Sequence, residues 1–134
     1  MTCNPDVEPA LMTSRDIAVA YIEACSSKTL TTVEGLLSPD VVFTSPGNDV
    51  RGASAYLAVL RRIGPVWART EVKQVFSEGA DVCVIYDFVT TAGAKLPMVE
   101  SLHVDAGRIT HITLFFDRLA FKPAADELAR LAAR

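Results

Sequence analysis

The chain has 134 residues, half of them hydrophobic and 22% charged, and its formal net charge is −3. This size and composition suit one globular domain with a hydrophobic core and exclude an intrinsically disordered chain. The small negative charge and the lack of a basic stripe argue against a nucleic acid partner, and no apolar run approaches the ~20 residues that cross a membrane.

Residues 1–12 are predicted to form a polar tail of a single domain over residues 1–134, because they contain prolines and lack the basic and apolar regions of a signal peptide. Cys3, Cys25 and Cys83 are odd in number and widely separated, so they predict neither a disulfide framework nor a metal site. These features favour a cytoplasmic protein. The sequence has no nucleotide-binding, zinc-protease or serine-hydrolase motif, so no cofactor is predicted.

Two helices are predicted at the start of the domain. Thr13 and Asp16 have the spacing of a capping box. Over residues 16–27 the apolar side chains recur at the i, i+3, i+4, i+7 period of a helix. A second, short helix is predicted over residues 29–37, with Pro39 ending it.

A short strand and a third helix follow. Residues 40–45 are mostly β-branched or aromatic and precede a Pro-Gly-Asn-Asp turn, a pattern typical of a strand. The third helix runs from Gly52 to Ile63 with its apolar side chains on one stripe, and Gly64-Pro65 ends it.

The second half of the chain changes from helical to strand-like patterns. Four runs rich in β-branched and aromatic residues are separated by short glycine-containing segments, which favour hairpins and an antiparallel sheet. Residues 123–134 are predicted to be a terminal helix or a frayed tail. Helices followed by a meander indicate an α+β fold whose helices cover one sheet face. The four runs are residues 70–79, 81–91, 95–104 and 108–117.

Two carboxylates stand in these apolar strands. Side chains alternate between the faces of a strand, and from Leu96 to Val104 the face that carries Glu100 is the apolar one. Asp87 lies in the run from Val82 to Thr91, which is otherwise β-branched, aromatic or thiol-bearing. Burying an unpaired charge costs several kcal/mol, so each carboxylate calls for a partner or a proton.

The hairpin between these strands is predicted to bring the two carboxylates together. Centring its turn on Ala92-Gly93 sets Asp87 opposite Met98 and Ile85 opposite Glu100, which makes Asp87 and Glu100 diagonal neighbours on one face. Such a pair would hold at least one proton at neutral pH and favours a functional pocket with an acid and a base. The alternative is that each carboxylate caps the rim of the pocket, solvated or bonded to a backbone N–H or an arginine.

The other face of the Asp87 strand is also apolar, with Val82, Val84, Tyr86 and Phe88. An antiparallel sheet that is apolar on both faces needs a second cover. We therefore expect a homodimer through the outer face of the sheet.

Over about residues 14–120 the chain resembles the nuclear transport factor 2-like superfamily. The resemblance is carried by the leading helices, a short strand ending in Ser-Pro-Gly, a helix beginning at Arg-Gly, and a meander closing with VDAGRITHITLFFD. The superfamily includes SnoaL-type polyketide cyclases, ketosteroid isomerase and limonene epoxide hydrolase. The resemblance implies a cone-shaped α+β barrel, in which a curved, mostly antiparallel sheet wraps around three N-terminal helices and an internal pocket. It also implies a dimer.

The resemblance to ketosteroid isomerase implies roles for particular residues. Tyr21 falls where that enzyme has its oxyanion-hole tyrosine. Glu100 falls at its second oxyanion donor, a protonated aspartic acid. Ser45, however, stands where that enzyme has its general base, and a hydroxyl does not replace a carboxylate there.

The resemblance to limonene epoxide hydrolase is also incomplete at the catalytic positions. Asp87 falls at one aspartate of that enzyme's Asp-Arg-Asp group. Ile85 replaces the arginine and Leu114 replaces the other aspartate. Neither known reaction is therefore expected of this chain, while the SnoaL-type cyclases, which need mainly a shaped pocket and one acid or base, stay open.

The sequence thus predicts a pocket protein acting on a small hydrophobic molecule, with Asp87 as base and with Tyr21 and protonated Glu100 as hydrogen-bond donors. A binding protein without catalysis, and a dimeric interaction domain with a vestigial pocket, are the alternatives. Plain core packing is the alternative for the side chains that are predicted to line the pocket. These are Phe43, Ser45, Tyr56, Leu60, Trp67, Ile85, Met98, Ile112, Leu114 and Phe116.

Overall fold

The computed structural model describes residues 12–133, which form four α-helices and six β-strands. Apart from Met12, the predicted tail lies outside the described residues. The helices are α1 (Ser14–Ser26), α2 (Leu30–Leu36), α3 (Ala53–Ile63) and α4 (Arg118–Ala132). The strands are β1 (Leu37–Ser45), β2 (Asn48–Arg51), β3 (Trp67–Glu78), β4 (Asp81–Thr90), β5 (Lys95–Asp105) and β6 (Arg108–Phe116).

The six strands form one curved sheet in the order β2-β1-β6-β5-β4-β3. All neighbours are antiparallel except β1 and β6, which run parallel, so the sheet is mixed and its ends do not close. Strand β3 forms one edge and pairs with β4 irregularly, between Trp67 and Arg69 and again between Val72 and Gln74. The predicted α+β fold is confirmed.

The predicted start of α1 is confirmed in detail, and the end of α2 is not. Thr13 and Asp16 form the reciprocal capping box, with Asp16 N–H donating to Thr13 Oγ1 at 3.0 Å. Helix α2 ends at Leu36, and Pro39 lies inside β1. Proline is tolerated in β1 where its missing N–H breaks no ladder bond; the interruption of the β1–β6 pairing between Leu37 and Val42 provides such a place.

Helix α4 begins five residues before the predicted segment. Asp117 caps it, because its carboxylate accepts from the backbone N–H groups of Leu119 and Ala120. Pro123 lies within the helix. Its ring removes the N–H that would otherwise bond the carbonyl of Leu119, yet the helix continues to Ala132. None of the described helices is both long enough and apolar enough to cross a membrane.

The hydrophobic core lies between the helices and the inner face of the sheet. Alternation along β5 is as predicted, with the Glu100 face buried and the opposite face more exposed. The inner face of β4 is the set that was predicted to face outward. Its buried members are Val82, Val84, Tyr86 and Phe88.

The loop between β4 and β5 explains this reversal. Residues 91–94 connect the two strands, and because Thr90 still bonds to Ala94, the turn itself has three residues, Thr91-Ala92-Gly93, rather than the two of the predicted turn. The backbone N–H of Thr90 donates to the carbonyl of Ala94 at 2.8 Å, and Gly93 N–H donates to the carbonyl of Thr90 at 2.9 Å. Gly93 adopts φ +96°, which an L side chain rarely adopts. A three-residue loop that ends on such a glycine is a common hairpin connection.

The predicted register is therefore wrong by one residue. Asp87 pairs with Pro97 rather than Met98, and Glu100 pairs with Val84 rather than Ile85. Because a shift of one residue moves every side chain of a strand to the other face, Asp87 and Ile85 lie on the outer face and Glu100 on the inner one.

Candidate functional site

A cavity of about 690 Å³ lies between the inner face of the sheet and helices α1, α3 and α4. Its lining changes from buried to exposed side chains, which distinguishes a deep end from an opening. The deep end contains Tyr21, Tyr56, Tyr86 and Glu100, each at most 6% exposed. The exposed lining residues mark the opening, which we call the rim: Arg62, Arg118, Leu119, Lys122 and Ala125.

Glu100 is hydrogen-bonded by two tyrosines at the deep end. The hydroxyl of Tyr21 donates to Oε2 of Glu100 at 2.9 Å, and the hydroxyl of Tyr86 donates to Oε1 at 2.7 Å. The hydroxyls of Tyr21 and Tyr56 are also hydrogen-bonded to each other. These are the chain's three tyrosines. We call the four side chains the Glu100 network.

The network contains three hydrogen bonds, and the number of hydrogens available to fill them depends on Glu100. With Glu100 ionised, the three hydroxyl hydrogens fill the three bonds and none remains. With Glu100 protonated, there are four hydrogens for the same three bonds. One of them then points into the cavity, where it can bond an acceptor atom of a ligand.

The surroundings of the network favour protonated groups. Burial raises the pKa of Glu100, and the bonds from Tyr86 and Tyr21, which favour the carboxylate, offset this only in part. Burial also raises the pKa values of Tyr21, Tyr56 and Tyr86 well above the usual value, and the charge of Glu100 adds to the shift. Among the residues that the structure describes, Glu100 is the only one with a carboxyl group that lines the cavity.

Aromatic rings form much of the cavity wall. Trp67 stacks on Phe88 with ring centroids 5.1 Å apart, and its indole N–H donates to Thr70. Phe121 of α4 meets Phe88 and Phe116 edge to face at 5.8 and 5.5 Å. The wall is therefore apolar, so a bound molecule would be largely desolvated and held by few polar contacts.

Ten of the thirteen predicted site residues line the cavity, and they include Tyr21 and Glu100. The lining residues predicted from sequence are Tyr21, Phe43, Ser45, Tyr56, Leu60, Trp67, Met98, Glu100, Leu114 and Phe116. Ile112 is wrong as a lining residue because it is fully buried in the core on the inner face.

Asp87 and Ile85 are wrong as cavity residues because the register places them on the outer face. Asp87 forms an ion pair with Lys73, whose Nζ lies 3.4 Å from Oδ2. Its charge is therefore partnered at the surface and is not next to Glu100. The proposed pairing of the two carboxylates loses its geometric basis.

Among the lining residues that were missed, which include Arg62 of α3, two sets had a signal in the sequence. Tyr86 and Phe88 were predicted to lie on the outer face. A three-residue turn between β4 and β5, had it been recognised, would have placed them on the inner face. Helix α4 contributes Arg118, Phe121 and Lys122. Asp117, a capping residue immediately before that segment, was the available sign that the helix begins there. Within residues 12–133 no cluster of His, Cys, Asp and Glu has the geometry of a metal site.

A model of the SnoaL-like domain matches residues 18–112, which is most of the chain. The chain belongs to the SnoaL-like domain family. No curated protein matches it significantly. The matched residues include Glu100 and all three tyrosines of the network.

Several solved structures have the same fold as this SnoaL-like domain. An NTF2-like protein of unknown function from Cytophaga hutchinsonii is 25% identical with a TM-score of 0.71, and the match covers 84% of this chain and 94% of that one. An LEH-like epoxide hydrolase from Mycobacterium tuberculosis is 23% identical with a TM-score of 0.72, covering 90% and 95%. A candidate ketosteroid isomerase from Kribbella flavida is 20% identical with a TM-score of 0.71, covering 78% and 77%. The last two similarities concern the fold alone.

Proposed function

We propose that this SnoaL-like domain binds a small, mostly apolar carbonyl compound and catalyses a proton transfer at the carbon next to its carbonyl group. The observation that carries the proposal is the Glu100 network, a single buried carboxyl group with tyrosine hydroxyls in an apolar cavity. Burial raises the pKa of this carboxyl group, which makes its carboxylate a stronger base for a proton transfer. Asp87 has no part in this proposal.

In the proposed step, ionised Glu100 takes the proton from the α-carbon. The C–H bond breaks, an O–H bond forms on Glu100, and the electron pair of the C–H bond shifts toward the carbonyl oxygen. The network now holds four hydrogens for its three internal bonds, so the surplus hydrogen turns to the oxygen that has gained charge. A donor aimed at a developing oxyanion in a water-poor site is an effective catalytic device.

The proposal is tested with 2-acetylnaphthalene, an apolar methyl ketone. Its binding is followed by quenching of Trp67, the only tryptophan of the chain and a lining residue. Proton transfer is followed by NMR as exchange of the acetyl hydrogens for deuterium in deuterium oxide. The proposal expects saturable quenching and catalysed exchange, and it expects Glu100→Gln to reduce exchange by about 100-fold or more, in the range of general acid–base contributions.

Asp87→Asn is the matched control, because it removes the other carboxylate of the same hairpin from the outer face. It should leave binding and exchange unchanged. Exchange that persists in Glu100→Gln would overturn the catalytic role of Glu100.

A second candidate function is binding without catalysis. It is favoured by Ser45, Ile85 and Leu114, which stand where the enzymes of the resemblance have catalytic groups. Saturable binding of the ketone by the wild-type protein, with no exchange above the rate in buffer, would favour this function over the first.

A further inference from the structure

The rim of the cavity differs in charge from the rest of the molecule. The chain has 16 acidic residues against 13 Lys and Arg, so its net charge is negative. The charged side chains that line the cavity are Arg62, Arg118 and Lys122 near the rim and Glu100 at the deep end. An excess of positive charge at one opening of an acidic protein attracts anions to that opening.

Two of these three cations have no ionic partner among the described residues. Lys122 is paired with Asp126 at 3.0 Å. Arg62 and Arg118 take part in none of the ion pairs formed within residues 12–133. Asp117, the neighbour of Arg118, is occupied as the cap of α4. Within residues 12–133 the donors of Arg62 and Arg118 are therefore free for a ligand.

Arg118 also lies against Gly47, in the turn between β1 and β2. A methyl group at Gly47 would lie 3.0 Å from Cζ of Arg118 and 3.3 Å from its Nε and Nη1. Gly47 has φ +91°, a conformation that favours glycine. The absence of a side chain at this turn is what leaves room for the guanidinium group.

We infer that the natural ligand carries an anionic group at the end opposite its carbonyl, and that Arg62 and Arg118 bind this group at the rim while the carbonyl end lies at the Glu100 network. This rests on the proposed function of the cavity. A guanidinium group binds carboxylate and phosphate with two parallel hydrogen bonds, so either anion fits the rim. The apolar wall between the two ends suits an apolar body.

Three probes with one body test the inference by Trp67 quenching: 2-acetylnaphthalene, 6-acetyl-2-naphthoate and 6-acetyl-2-naphthyl phosphate. At least one anion should bind about five-fold more tightly than the neutral ketone, which is the range of an exposed ion pair. The better of the two identifies the anion as carboxylate or phosphate. The advantage should fall as salt concentration rises.

Arg62→Gln and Arg118→Gln should each reduce the anion's advantage, measured as the ratio of its affinity to that of the neutral ketone in the same variant, and an advantage that both variants retain in full would overturn the inference. Arg61→Gln is the matched control, since Arg61 is the exposed neighbour of Arg62 on α3 and does not line the cavity. If the ketone binds and neither anion binds more tightly, the inference is wrong and the proposed function stands. An advantage that Arg61→Gln removes as fully as the other two variants would also overturn it. If no probe binds, the proposed function itself fails.

Discussion

The hydroxyl of Tyr86 donates a 2.7 Å hydrogen bond to Oε1 of Glu100 across the β4–β5 pair. Tyr21 approaches the other carboxyl oxygen from α1, so a helix and a strand hold the same group. Because Tyr86 and Glu100 come from sequence segments 14 residues apart, their contact depends on the hairpin register. Three consequences of this arrangement can be measured.

The first concerns tyrosine ionisation. The chain's three tyrosines are Tyr21, Tyr56 and Tyr86, and burial raises all three pKa values well above 10.0. The native protein should therefore show no tyrosinate absorbance around pH 10. In urea all three should ionise near the usual tyrosine pKa of about 10. A native tyrosine that titrates normally while the protein is still folded would contradict the buried network.

The second concerns the pH dependence of stability. The folded-state pKa of Glu100 is raised above the unfolded value of about 4.5, so the folded chain holds this proton more tightly. The stability it contributes is fully present below about pH 4.5 and is lost as pH rises through the raised pKa. The free energy of unfolding of the wild type minus that of Glu100→Gln should fall with pH in this window, by at most ~1.4 kcal/mol per pH unit.

Urea denaturation of both proteins between about pH 4 and pH 8 measures this difference. Other carboxylates, such as Glu71, whose pKa is lowered by hydrogen bonds from Lys95 and Arg69, titrate in both proteins and cancel. A difference that is constant or rises with pH would show that burial does not dominate the pKa of Glu100.

The third concerns two adjacent residues on opposite faces. Tyr86→Phe removes a buried hydrogen bond and should cost about 1–3 kcal/mol of stability. Asp87→Asn removes an ion pair with Lys73, whose side chain is 51% exposed, and should cost less than about 1 kcal/mol. Urea denaturation of the two variants gives the loss in the free energy of unfolding for each, and the two losses can be compared. A costly Asp87→Asn beside a neutral Tyr86→Phe would favour the register in which Asp87 faces inward.

The sequence determines much of the site because some patterns are unambiguous. From Leu96 to Val104 one face of the strand is apolar apart from Glu100, so the inward position of Glu100 follows from the alternation of side chains. The period of α1 places Tyr21 on the buried stripe. These two residues are half of the Glu100 network.

The rest depends on features that patterns do not determine. Strand β4 is largely apolar on both faces, so the alternation of side chains does not show whether Tyr86 or Asp87 points inward. The length of the turn after β4 determines this, because one additional turn residue shifts the register and reverses the faces. Helix α4 begins before Pro123, the first residue of the predicted segment, and packing of Phe121 on Phe88 and Phe116 holds this earlier part of the helix in place. Tertiary contacts override local preference there.

The fourth measurement concerns assembly, which we propose is a homodimer through the outer face of the sheet. Ile85, Val99 and Phe115 form one row across β4, β5 and β6, and Phe76 is also exposed on this face. Phe115 is 55% exposed, more than a large apolar side chain favours in water. A second copy of the chain would cover this row.

Phe115→Glu should convert the dimer to a monomer in analytical ultracentrifugation, because a charge at the centre of an apolar interface is costly to bury. Leu119→Glu is the control, since Leu119 is 77% exposed but lies on α4 at the rim rather than on the outer face. A wild-type chain that sediments as a monomer at high concentration would refute the dimer.

The two irregularities of β3 have a consequence for crowded solutions. A long, regular edge strand offers a row of free backbone groups on which another chain can add a strand. Strand β3 has 12 residues, but its pairing is interrupted twice, and Lys73 carries a charge at the second interruption. Such an edge is a poor template for strand addition, so the β3 edge can stay unpaired without promoting polymerisation of the chain.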